Sequence, residues 1–310
     1  MSYLLLILGF ILLIKGADVF VEGSSNIAKF FKIPTIVIGL TLVAFGTSAP
    51  EAAVSITAAL NGSNDLSIGN ILGSNMFNLF CILGITSMFG VVRTTKEVVN
   101  KDYLISVFAA LLLLVVILVN NFLGGSLAIS RIGGIVLLIA LIIYLVDMVK
   151  NIDKTQKVVE HRTFKMKDVF YVVVGLVLVV GGGQLTVNSA TDIARSLGMS
   201  ETLIGLTICA LGTSLPELFT SVIASRKGEE EIAIGNIIGS NIFNILFILG
   251  ASSLITPMAV SLEAVIDLLI FIIGSIFVFL IVLRDCKINK KEGLGMLLFY
   301  FIYCLYIFIR

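Results

Sequence analysis

The 310-residue chain has no tryptophan, one histidine, four prolines, four cysteines and few charges, with Asp, Glu, Lys and Arg making up only 13% of it. Each scarcity excludes something. A single histidine, His161, excludes a multi-histidine metal centre. The cysteines Cys81, Cys209, Cys286 and Cys304 show no CxxC or other metal-ligand spacing and read as small apolar fillers. A net charge of +1 offers no basic surface to a nucleic acid. The N-terminus lacks the basic segment and small-residue cleavage site of a secretory signal peptide, so it reads as a first helix. Above all, so few charges cannot cover a soluble domain of this length whose residues are 58% hydrophobic.

What the chain does contain is a succession of apolar runs near the length needed to cross a bilayer, with a mean hydropathy of +1.11. The runs do not alternate polar with apolar residues, which excludes a barrel. The expected fold is an all-α membrane protein of ten transmembrane helices, with the lipid bilayer as its surroundings. The spans fall at 2–31, 35–60, 66–90, 102–120, 127–149, 167–197, 201–225, 231–255, 262–283 and 293–309. Basic residues crowd the connections that follow spans 1, 3, 5, 7 and 9, which hold seventeen of the 21 Lys and Arg. Such connections face the cytoplasm, so both termini are expected outside the cell membrane.

Two halves of the chain align without a gap at an offset of 166. Residues 37–85 and 203–251 share 25 of 49 positions. The expected domains are therefore a first five-helix repeat at 1–150, a charged cytoplasmic linker at 151–166 and a second repeat at 167–310. Five spans per half is an odd number, so the second half enters the membrane inverted. Secondary transporters use that plan, with the ion site at the midplane between the halves.

Each half carries Gly-Thr-Ser-x-Pro-Glu inside an apolar span: Gly46–Glu51 and Gly212–Glu217. A carboxylate at that depth is costly unless it is paired, solvated or bound to a cation, and neither span offers a Lys or Arg nearby. Pro50 and Pro216 lack an N–H and clash with the preceding turn, freeing carbonyls around Gly46–Thr47 and Gly212–Thr213. Broken backbone in a membrane is acceptable where it lines a cavity. Each motif thus supplies carbonyl, hydroxyl and carboxylate oxygens, and two facing motifs make an all-oxygen cage suited to a hard cation. Ser74 and Asn78 lie one helical turn apart, as do Ser240 and Asn244, and can add neutral oxygens. Asn70, Asn75, Asn236 and Asn241 read instead as packing or helix-end capping residues. Lys15, Asp18 and Glu22 share a face of the first span and read as a mutual ion pair or as snorkelling side chains.

The paired GTSAPE and GTSLPE, each followed by GNIxGSNxFN, resemble the alpha repeats of the cation/Ca²⁺ antiporter superfamily, and within it prokaryotic sodium/calcium exchangers. The resemblance covers essentially the whole chain. It implies a transporter rather than an enzyme, with no cofactor and with Na⁺ and Ca²⁺ as its substrates, exchanged by alternating access as spans 1 and 6 slide across the rest. It further implies that Glu51 and Glu217 bind both ions and that Thr47 and Thr213 give backbone carbonyls to Ca²⁺. Ala44, Ser48, Ser74, Ala210, Ser214 and Ser240 match positions that line sodium sites. Proton-coupled relatives typically carry a glutamate soon after the Gly-Asn of the partner helix, and potassium-dependent ones an aspartate where this chain has Asn78 and Asn244. Neither acid is present, which points to Na⁺ coupling without K⁺. A Ca²⁺/H⁺ antiporter on the same scaffold and a passive cation channel are the competing readings. No protein partner is implied.

Overall fold

The computed structural model describes residues 1–123, 125–155, 165–198 and 210–309, with the side chains of 152–155 and 210 set aside. Nearly all of it is helical. Helix α1 spans Ser2–Phe31. Helices α2 (Thr35–Thr47) and α3 (Ala49–Leu60) form one span bent by 50°. Helix α4 covers Asn64–Phe89, α5 Lys96–Phe122, and α6 Arg131–Thr155. Helix α7 covers Met166–Ser196, α8 is the short turn Ala210–Gly212, and α9 spans Leu215–Arg226. Helix α10 covers Glu230–Ile255, α11 Leu262–Asp285 and α12 Lys290–Ile309. Among the described residues, eight helices are long and apolar enough to cross a membrane, or nine with the bent α2–α3 pair as one span. The first half of the expected seventh span, residues 201–209, lies outside the described residues, as do Cys209, His161 and most of the expected linker.

Several expected boundaries move. Helix α5 starts at Lys96, well before residue 102, because the Thr95 hydroxyl accepts the Val98 N–H at 3.3 Å and caps it there. Helix α6 starts at Arg131 rather than 127, because Ala128 and Ile129 are drawn into a strand. Four two-residue strands occur, none of them anticipated, since so short a stretch has no alternation to read. Strand β1 (Val92–Arg93) pairs antiparallel with β4 (Lys287–Ile288), and β2 (Ala128–Ile129) with β3 (Met258–Ala259). The first pair joins the connections after spans 3 and 9, and the second those after spans 4 and 8. Odd-numbered connections meet odd, and even meet even, as alternating spans require.

Helix α10 is the axis of the bundle, with almost every apolar position enclosed, whereas α1 and α7 leave most of theirs outward. That contrast suits α10 to positioning a site and α1 and α7 to facing lipid. Helices α1 and α7 pack backbone against backbone. A methyl group at Gly175 would fall 2.5 Å from the Phe20 nitrogen, and one at Gly182 2.8 Å from the Leu13 nitrogen. No larger residue fits either place, and small residues of this kind let membrane helices approach closely. At one end α1 is fastened by polar contacts to α7 and to the connection between α9 and α10. Asn26 donates to Asp168 at 2.9 Å, Lys29 pairs with Glu229 at 3.4 Å, and Lys227 reaches Asp18 at 2.9 Å. Lys227 also lies 3.9 Å from Glu22. The acids of α1 thus meet a lysine from the α9–α10 connection rather than their neighbour Lys15, because that connection folds back against α1.

Candidate cation site

Both motif turns are broken helices. Helix α2 ends at Thr47 and α3 begins at Ala49, with Ser48 between them at φ −79°, ψ 5°. The second copy repeats this: Ser214 sits at φ −89°, ψ 7° before α9 opens at Leu215. Each proline stands in the first turn of the new helix, where a missing N–H costs nothing. The carbonyls of Gly46 and Gly212, four residues earlier, lose their usual helical donor for the same reason.

The breaks bring the two halves together. Glu51 and Glu217 are fully buried. Ser48 of the first motif donates to Glu217 Oε1 at 2.9 Å, and Ser214 of the second donates to Glu51 Oε1, also at 2.9 Å. The exchange is reciprocal: each serine serves the glutamate of the other half. The partner helices close in behind. Ser74 on α4 lies 3.1 Å from Ser214, and Ser240 on α10 donates to Glu217 Oε1 at 3.4 Å. Asn78 and Asn244 follow one turn further on, both fully buried. Each sits in a π-helical turn, Phe77–Ile82 and Asn244–Leu249 respectively, a widening of the helix that recurs at functional sites.

The remaining predicted residues take supporting places. The Thr47 hydroxyl donates to Asn236 Oδ1 at 2.9 Å, while Thr213 reaches Asn70 Oδ1 at 3.4 Å. Ala44 is buried against Gly239 of α10, and its carbonyl accepts the Ser48 N–H at 3.0 Å and the Thr47 hydroxyl at 3.4 Å. Ala210 opens α8.

The four asparagines first read as packing residues form a hydrogen-bonded seam between the halves. Asn236 donates to Ser221 at 2.9 Å and Asn70 to Ser55 at 2.9 Å, so each ties a motif helix to the opposite threonine. Asn244 donates to Asn75 Oδ1 at 2.9 Å, Asn78 to Asn241 Oδ1 at 3.2 Å, and Asn75 to the Asn241 carbonyl at 3.2 Å. The offset of 166 carried the signal, since it repeats these asparagines together with Ser55 and Ser221.

After this accounting, ten buried side-chain polar atoms among the described residues keep no partner. Four of them are Glu51 Oε2, Glu217 Oε2, Asn78 Oδ1 and Asn244 Oδ1, two from each half. Among the described residues no Lys or Arg pairs with either glutamate, and no three His, Cys, Asp or Glu converge. An uncompensated buried carboxylate costs several kcal/mol. Two carboxylates beside neutral hydroxyl and amide oxygens are the donor set of a hard cation, and among the described residues no thiolate or imidazole joins them to favour a soft one.

The pattern of the family described as sodium/calcium exchanger protein matches residues 1–150 and 167–309. The sodium/calcium exchanger MaX1 of Methanosarcina acetivorans is 32% identical over 344 residues, covering 99% of this chain and 98% of that protein. The inner membrane protein YrbG of Escherichia coli K12 is 36% identical over 265 residues, covering 82% of this chain and 79% of that one. A solved structure of the sodium-calcium exchanger NCX_Mj, soaked with zero Na⁺ and Ca²⁺, superposes with a TM-score of 0.86 at 32% identity, covering 99% of this chain and 98% of that chain.

Proposed function

This chain belongs to the sodium/calcium exchanger family, and from that we propose that it exchanges Na⁺ for Ca²⁺ across the cell membrane by alternating access, with both termini outside. The observation that carries the proposal is the set of four unpartnered oxygens on Glu51, Glu217, Asn78 and Asn244, enclosed by the reciprocal serines. They bind the cation together with carbonyls of the broken turns at Thr47 and Thr213. Ala44, Ala210, Ser48, Ser214, Ser74 and Ser240 border the sodium positions. Two inverted five-helix repeats, 1–150 and 167–310, supply one wall each, and the same-side pairing of the strand connections supports that arrangement.

Charge sets the coupling. Two carboxylates and two amides give the cage about −2. One Ca²⁺ neutralises it, and three Na⁺ leave +1, so exchange at that ratio moves one charge per cycle and responds to membrane potential by about 2.3 kcal/mol per 100 mV. Asparagine at 78 and 244 leaves no acid for K⁺.

Reconstitution into liposomes tests this. An outward Na⁺ gradient is expected to drive Ca²⁺ uptake, a K⁺-diffusion potential to change its rate, and K⁺ itself to be dispensable. Uptake driven by a proton gradient without Na⁺, and indifferent to a Na⁺ gradient, overturns the proposal in favour of proton coupling. Flux insensitive to ions on the trans side identifies a channel.

A further inference from the structure

We propose that Asn75 is a positioning residue: it fixes which way the amide of Asn244 faces, and so delivers the Asn244 oxygen to the ion. Asn241 makes the corresponding contact to the Asn78 amide. The inference rests on the cation-site reading above and adds residues to it that touch no ion.

A carboxamide is nearly symmetric in shape but not in chemistry, with two N–H donors at one tip and an acceptor at the other. Turned by half a rotation, Asn244 would present N–H groups, which repel a cation. Something must settle the choice, and the hydrogen-bond chain settles it from a fixed end. The Asn241 backbone carbonyl can only accept. Asn75 lies 3.2 Å from it and must therefore offer its nitrogen there. That leaves Asn75 Oδ1 facing Asn244 at 2.9 Å, so Asn244 must answer with its nitrogen. The Asn244 oxygen is then forced to the remaining side, where it has no partner. It lies one turn beyond Ser240, which touches Glu217.

The relay is dry and crosses the halves. Asn75, Asn241, Asn78 and Asn244 are all essentially buried, so no bulk water substitutes for a missing bond. In the second copy Asn78 gives its nitrogen to Asn241 Oδ1 at 3.2 Å, and its own oxygen is again left without a partner. Each amide nitrogen is held by an asparagine of the opposite half, three residues before the counterpart of the residue it holds.

The purified protein in detergent provides the test, with Ca²⁺ alone as the probe. Wild type, Asn75→Ala, Asn244→Ala and the double variant are titrated with Ca²⁺ in the absence of Na⁺, following radioactive Ca²⁺ binding and the Ca²⁺-dependent rise in melting temperature. Asn75→Ala is expected to weaken apparent Ca²⁺ affinity about tenfold. The double variant is expected to be no weaker than Asn244→Ala, because Asn75 acts only through Asn244. Wild-type affinity in Asn75→Ala, or additive losses in the double variant, overturns the inference and assigns Asn75 to packing. Should Asn75→Ala fail to fold, the cycle of Asn241→Ala with Asn78→Ala carries the same decision. If wild type itself does not bind Ca²⁺, it is the cation-site reading that falls.

Discussion

At the scale of single residues, the site is defined by what its acids lack. Glu51 and Glu217 each satisfy one oxygen with a serine of the other half and leave the second without a partner. Removing either carboxylate charge halves the negative charge of the cage. Glu51→Gln and Glu217→Gln are each expected to lower Na⁺-driven Ca²⁺ uptake by at least a hundredfold with the protein still folded, measured as initial rates in liposomes at saturating Ca²⁺. Ser214→Ala is milder. It removes the donor to Glu51 Oε1, a hydrogen bond to a charged group of about 1.5–3 kcal/mol, and is expected to raise half-saturating Ca²⁺ about tenfold or more. Ser48→Ala should cost less, because Glu217 Oε1 keeps Ser240 at 3.4 Å. The glutamates, serines and Asn78 and Asn244 were legible in the sequence, because each is repeated at one offset in an apolar setting that gives packing no use for it. The linking asparagines were not. Their partners in the other half lie 143 to 189 residues away, and a polar residue in a membrane helix looks the same from sequence whether it ties helices or aims a ligand.

At the scale of elements, the breaks at Ser48 and Ser214 are the decisive features. Pro50→Ala restores an N–H four residues after Gly46 and lets α2 run into α3 as one helix. The expected outcome is a protein as stable as wild type, or more so, with Ca²⁺ affinity lowered, because straightening the 50° bend carries Ser48 away from Glu217. Thermal unfolding and Ca²⁺ titration of the same preparation check both halves of that statement. The α1–α7 seam gives a contrasting expectation. Gly175→Val forces side-chain atoms into a space where even a methyl carbon meets the Phe20 nitrogen at 2.5 Å, and should destabilise the fold by about 1–3 kcal/mol, read as a lower melting temperature. Helix existence was legible from apolar run length. The bend itself was foreshadowed by the proline that follows Gly-Thr-Ser, whereas its angle and the π-helical turns carry no such mark in the sequence. The strands were invisible, because each exists only through a partner more than a hundred residues away.

At the scale of the whole molecule, the charge bias of the connections leads to a testable expectation, that both termini lie outside. Ser126→Cys, in the exposed connection after α5, is expected to react with a membrane-impermeant maleimide in intact cells lacking the four native cysteines. Lys96→Cys is expected to react only after permeabilisation. The reverse pattern refutes the assignment of the termini to the outside. The helical membrane class was readable from apolar run length, and the gap-free repeat adds the expectation of an inverted plan before any contact is known. The reciprocal Ser–Glu bonds carry a last consequence, at the level of the gene. Since the donor to each acid is encoded 163 or 169 codons from it, a mutation disabling one hydroxyl has its nearest remedy in the distant half of the reading frame. The two segments are therefore bound to a common history: neither can be exchanged, truncated or inherited alone without removing a hydroxyl that the other's acid relies on.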